Sequence, residues 1–234
     1  MSKNKQMLSE TIMTVGPFTP TTGPASLVQG VYGARGNLEL VACDDTDGLW
    51  VFWFNSDLPD DPGEAPDVQT GSWSSGLAFA QGARYRQAQI LQSTVGPDHL
   101  EVLALRDDGV LESWYWSPGL GFQRRPNAVA DGVGRFTARH HDGRITVTMT
   151  DGGTERALTS GTQGYPERAW AVAQTGPVID DGSEAAAVLR AAGIAPADVA
   201  EGSARAARSD RDGGRIELTW RDSDDRLRHL AIRG

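Results

Sequence analysis

"WSSGLAF" at residues 73–79 and "WSPGLGF" at residues 116–122 differ at only two positions and lie 43 residues apart. Other pairs keep the same interval: Gly109 and Gly152, each preceded by Asp, and Phe79, Phe122 and Tyr165. A constant spacing between similar segments is the mark of a chain built from repeated supersecondary units. Upstream of each turn lies a short alternating apolar segment: "NLELVAC" from Asn37, "HLEVLAL" from His99, "RITVTMT" from Arg144 and "RIELTW" from Arg215. Alternation with enriched β-branched and long aliphatic side chains reads as a strand with one face toward a core.

After an Asp-Gly or Asp-Asp turn a second strand follows in each unit: "LWVFWF" from Leu49, "VLESWYW" from Val110, "TERALTS" from Thr154 and "RLRHLAI" from Arg226. Asp-Gly between such runs is a strong hairpin signal, because tight hairpin turns need positive φ. A further strand precedes each hairpin, in "SLVQGVYG", "YRQAQILQ", "GRFTARH" and "SARAARS", and the segments "GLAF", "GLGF" and "QGYP" supply the outermost strand. Four strands in about 40 to 45 residues are a propeller blade. The expected fold is therefore all-β, a four-bladed β-propeller in one domain over 1–234, with blades near 25–80, 84–127, 133–172 and 203–234.

Two segments break the pattern. The stretch 57–71 is acidic and Pro-rich, a solvated loop. The insertion 177–202 holds one expected helix, with Ser183 as its cap, Ala185 to Ala192 in its body, Gly193 after its end and Pro196 beyond. The last unit ends at its third strand and would leave an open sheet edge, which proteins avoid. "TIMTVGPFTP" at 11–20 can supply the missing outer strand and close the ring, with Phe18 placed as Phe79, Phe122 and Tyr165 are.

Composition limits the partners. With 31 acidic and 22 basic side chains in 234 residues, the net charge is −9, which repels phosphate backbones and makes nucleic acid an unexpected partner. Cys43 is the single cysteine, so no intrachain disulfide forms, and its apolar setting suggests a small core residue. No run approaches the roughly 18 apolar residues of a membrane span, and residues 1–16 lack a secretion signal. Cytoplasmic synthesis is the expectation, with any release independent of a signal peptide.

"NLELVACDDTDGLWVFWF" (37–54) and "HLEVLALRDDGVLESWYWSPGLGF" (99–122) resemble blades of the fucose-binding propeller lectins of insect-pathogenic bacteria. The resemblance covers residues 25–125. Those lectins have seven blades, and here Trp50 gives way to Leu111, Thr154 and Leu227 at the matched positions. The resemblance implies sugar sites between adjacent blades, hence a site between the first two units. Trp53 and Trp114, read as equivalent, are assigned to packing between blades. The less repetitive Trp50, Trp73 and Trp116 are the candidate ligand-binding rings, since a sugar's C–H face needs an aromatic plane beside polar groups. Arg106 and Asp107, in the turn "LRDDG", are the candidate polar contacts.

Catalytic signatures are absent. His140 and His141 lack a spaced partner for a metal, most acids sit in turns, and no nucleophile, phosphate-loop or zinc motif occurs. No cofactor and no catalytic residue is expected. Three functions remain: a non-catalytic carbohydrate-binding module, whose partner is a glycan or glycoconjugate; a protein-interaction module of a larger assembly, docking through 57–71 and 177–202; and a glycan-cleaving enzyme.

Overall fold

In a computed structural model, residues 11–61, 67–93, 95, 99–164, 168–177, 179 and 182–233 are described. They form four four-stranded antiparallel sheets and one α-helix. The first sheet is β2 (Thr21–Gln29), β3 (Leu38–Asp44), β4 (Leu49–Phe54) and β5 (Leu77–Phe79). The second is β6 (Tyr85–Gln92), β7 (Leu100–Arg106), β8 (Leu111–Ser117) and β9 (Gly121–Arg124). The third is β10 (Arg135–His141), β11 (Arg144–Asp151), β12 (Thr154–Ser160) and β13 (Trp170–Val172). In the fourth, β14 (Arg205–Ser209), β15 (Arg215–Arg221) and β16 (Leu227–Arg233) are joined by β1 (Met13–Thr14). Met13 lies opposite His229, so the N-terminal segment covers the outer edge of the last sheet, as its open edge requires.

Each sheet follows chain order outward from its first strand, apart from the added β1. The innermost strands β2, β6, β10 and β14 all contribute to one central cavity of about 110 Å³. Face-to-face packing holds the blades. Val41, Cys43 and Val51 of the first sheet interdigitate with Ile90, Val102 and Ala104 of the second; Leu103 and Leu105 of the second meet Phe136, Val147 and Met149 of the third. Leu38, Leu40 and Phe52 of the first sheet pack with Val15 and Leu227. At about 25 cal/mol per Å² of apolar area, these three interfaces are the main source of stability. Polar groups add direction: the Gln87 and Gln89 side chains donate to and accept from the backbone of Phe136 and Ala138, bonding the edge of β10 as a fifth strand would.

The third and fourth sheets meet differently. Among the described residues no apolar cluster joins them. Instead α1 (Ser183–Ala191) lays Ala185 and Leu189 on Leu218, Trp220 and Leu230 of the fourth sheet. The insertion therefore covers sheet surface that a neighbouring blade covers elsewhere. Its N-terminal cap is Gly182, at φ 77, so Ser183 is the first helical residue and not the cap as expected. Past Ala192, Gly193 at φ 78 ends the helix as expected.

Four further expectations are corrected. First, the repeated heptapeptides are not in structural register. "WSSGLAF" runs along the outer edge of β4, with Trp73 opposite Phe54 and Phe79 opposite Leu49. "WSPGLGF" instead finishes β8, makes the turn and starts β9, with Trp116 opposite Phe122; the outer partner of Leu111 is Ala130. Second, Trp53 and Trp114 are not equivalent. Trp53 pairs with Glu39 and Tyr115 with Glu101, so Trp53 corresponds to Tyr115, and a one-residue slip moves a side chain to the opposite face. The same register matches Trp50 to Glu112, not Leu111. Third, Phe18 is 72% exposed; Val15, buried, fills the core, because Gly16 turns the chain at φ 63 against the Phe52 ring, where an added Cβ would come within 2.6 Å and does not fit. Fourth, the outer strand of the third sheet is β13, not "QGYP"; Tyr165 lies outside the described residues.

Candidate functional site

The strands Leu38–Asp44, Leu100–Arg106 and Arg215–Arg221 place a glutamate at one and the same position: Glu39, Glu101 and Glu217, each the second residue of its strand or the third. All three are buried, and each faces the next sheet around the axis. A buried carboxylate is costly unless paired. Glu101 is paired: the Arg168 guanidinium contacts it, anchored by the carbonyls of Gly161 (2.9 Å) and Gly143 (2.5 Å), and Ser93 donates to it at 3.0 Å. Glu217 is paired with His229 at 2.7 Å, Arg211 at 3.3 Å and the Ser209 hydroxyl at 2.6 Å. Burial pushes the Glu217 carboxyl up, but His229 and Arg211 more than offset it and hold it below the usual range.

Glu39 differs. It is 7% exposed, has no hydrogen-bond or ion-pair partner among the described residues, and burial raises its pKa to about 8. It lines a cleft of about 330 Å³ between the first two sheets. Trp53, Val51 and Leu77 form one wall; Leu100, Trp116 and Phe122 form the other. Phe122 stacks on the buried Phe79, ring centroids 3.9 Å apart and nearly parallel, while Trp116 leans over it at 5.4 Å. The rings are thus fixed from behind by the core. The loop after β2 contributes Gly30, Val31, Tyr32 and the buried Asn37, held by Gly30 N–H donating to the Asn37 carbonyl at 2.7 Å. Gln92 closes the rim, accepting from Val31 N–H at 3.1 Å. Flat apolar walls with a few fixed polar groups are the makeup of a small-ligand site.

Of the five residues singled out in the sequence, Trp116 lines this cleft. Trp73 lies between the fourth and first sheets, edge-on to Phe54 at 5.5 Å and to His229 at 5.4 Å. Trp50 is at the far end of β4, where its indole N–H donates to Asp44 at 2.7 Å. Arg106, bonded to Asp108 and Glu112, and Asp107 sit at the far end of β7, six residues from Leu100, roughly 20 Å along a strand. Trp53, Phe122, Asn37 and Glu39 were missed. A sequence signal for Glu39 existed: "NLEL", "HLEV" and "RIEL" each set a charge among apolar residues at the same strand position. His140 and His141 lie on β10, and no metal-ligating group of three or more His, Cys, Asp or Glu occurs among the described residues. No described helix is long and apolar enough to cross a membrane.

No family model and no curated protein sequence matches the chain. Solved structures that are similar include a mutant of AofleA from Arthrobotrys oligospora, 13% identical over 92% of this chain and 55% of that one, with a TM-score of 0.48. The BP39L lectin from Burkholderia pseudomallei is 16% identical over 90% of this chain and 52% of its own, with a TM-score of 0.45. The lectin of Aleuria aurantia, described as a six-bladed β-propeller with a novel fucose recognition mode, is 14% identical over 92% and 58%, with a TM-score of 0.44. The chain spans just over half the length of each of these three proteins.

Proposed function

We propose that the chain is a single, closed four-bladed propeller that acts as a non-catalytic carbohydrate-binding module through the cleft between its first two sheets. One observation carries this reading: Trp53, Trp116 and Phe122 present aromatic surface beside the polar groups of Asn37 and Glu39 in one open cleft. A pyranose has an apolar C–H face and a rim of hydroxyls, and this pairing of ring and hydrogen-bonding group meets both. The protein-docking alternative draws no comparable support, since the insertion turns Ala185 and Leu189 onto its own fourth sheet. A single cleft with few polar contacts gives weak affinity, near millimolar or about −4 kcal/mol, so several copies must act together for firm attachment. A glycan array at high protein density tests the reading. Trp116→Ala abolishes binding while the melting temperature stays close to that of the parent; array-wide silence of a folded parent, or undiminished binding by the variant, refutes it.

A further inference from the structure

The cleft between the fourth and first sheets is built as the candidate site is, and it is full. Phe54 corresponds by register to Trp116, and Trp73, its outer-strand partner, to Phe122. Glu217 corresponds to Glu39. Between ring and carboxylate sits a cation of the chain's own: the Arg211 guanidinium carbon is 4.7 Å from the Phe54 centroid, and its Nε is 3.3 Å from Glu217. His229 adds a second nitrogen base, 2.7 Å from Glu217 and edge-on to Trp73. The cleft between the second and third sheets repeats the solution with Arg168 on Glu101.

In the open cleft both halves of that arrangement remain and the cation is missing. Val51 stands where His229 stands in the fourth sheet, and the loop from Gly30 to Asn37 brings no basic side chain to the cleft where the 210–214 loop brings Arg211. Among the described residues that line the cleft, Glu39 and Asp67 are acidic and none is basic. Aromatic faces and a carboxylate around an unfilled space are complementary to a positive charge, through cation–π attraction and a charge-assisted hydrogen bond.

We infer that the glycan bound in this cleft carries a protonated amino group, which takes the place that Arg211 holds in the neighbouring cleft: an amino sugar with a free amine. This rests on the carbohydrate reading above. The ammonium donates to Glu39 and lies against Trp116 or Trp53, while the ring hydroxyls reach Asn37. Glu39, neutral in the empty cleft because nothing offsets its burial, becomes ionised in the complex, as Glu217 is held in the charged form beside Arg211 and His229.

Calorimetric titration with three tetrasaccharides of matched linkage tests it: the β-1,4 tetramers of glucosamine, of N-acetylglucosamine and of glucose. The glucosamine tetramer binds at least tenfold more tightly than the other two. Glu39→Gln brings the three within about twofold, whereas Glu184→Gln, the same loss of charge on exposed α1, leaves the preference intact and so removes general attraction to an acidic protein as its cause. On the unmodified protein, Nα-acetyl-arginine amide displaces the glucosamine tetramer and Nα-acetyl-citrulline amide, its neutral counterpart, does not, which keeps the test decisive should Glu39→Gln fail to fold. Equal or tighter binding of the neutral tetramers overturns the amine inference and leaves the lectin reading standing. Failure of all three to bind overturns the amine inference, and overturns the lectin reading as well only where the glycan array is also silent.

Discussion

Glu39 makes the stability of the unliganded protein depend on pH in a direction opposite to that of a paired carboxylate. In the unfolded chain it titrates near 4.5, and in the folded cleft burial lifts this to about 8. Below pH 4.5 it is neutral in both states and costs nothing. As pH rises, the unfolded state gains a solvated carboxylate that the folded state resists forming, so stability is lost progressively up to the folded pKa and levels off above it. Linkage with those two values gives a loss of about 3.5 kcal/mol from pH 5 to pH 8. Glu39→Gln keeps the shape and removes the titration. Urea unfolding of both proteins at pH 5, 6, 7 and 8 isolates the effect, because every other titrating group is shared. The parent loses stability relative to the variant by about 3.5 kcal/mol across the range, the gap opening steadily above pH 5. Parallel pH profiles would refute the reasoning and show that Glu39 is solvated or paired in solution.

Other substitutions probe the frame. Arg168→Met leaves Glu101 as a buried, unpaired carboxylate and costs about 3–5 kcal/mol in urea unfolding, while Glu101→Gln combined with Arg168→Met recovers much of it. Trp73→Ala, which opens a hole beside Phe54 and His229, lowers the melting temperature at a cost of about 2–4 kcal/mol yet leaves glycan binding in the first cleft in place, the reverse of Trp116→Ala. Phe79→Ala costs about 3–5 kcal/mol whereas Phe18→Ala, at an exposed ring, stays within about 0.5 kcal/mol of the parent; equal costs would mean that the strand assignment at the N-terminus is wrong. Gly16→Ala meets both a positive φ and the Phe52 ring, and its thermal melt falls well below that of Gly213→Ala, where a Cβ meets nothing.

Strand existence was legible in the sequence because alternation reports burial directly: "LWVFWF", "YRQAQILQ" and "TERALTS" begin and end where β4, β6 and β12 do. The closing pair was legible too, since an unpaired edge has a cost that only a distant segment can relieve, and β1 supplies it. Register was not. Matching Gly48 with Gly109 by letter hides a one-residue difference between the two hairpins: Asp44 N–H bonds to the carbonyl of Gly48, but Arg106 N–H bonds to that of Val110. That slip exchanges the faces of Trp53 and Trp114, while Trp50 and Arg106 lie at the other end of their strands from Glu39. The identical letters of the two heptapeptides were a second false guide, since one lies along an edge and the other bends through a turn. The position of Glu39 was written in the sequence, but whether a cation of the chain itself reaches it depends on loops such as 210–214, which no strand pattern encodes.

The pairing of Met13 with His229 joins the first described strand to the last described one. A ribosome delivers the former long before the latter. Throughout synthesis, therefore, Met13 and Thr14 wait without a neighbour, and β15 and β16, on emerging, have no outer strand until the start of the chain returns to them. The blades whose strands are contiguous can assemble in order of appearance, whereas the last can be completed only after residue 229 has left the exit tunnel. Any product terminated before residue 228 lacks the partner of Met13 and Thr14, so the cell meets either a sheet with its outer edge covered or one with that edge bare, a difference that quality-control machinery sensitive to bare sheet edges is well placed to read.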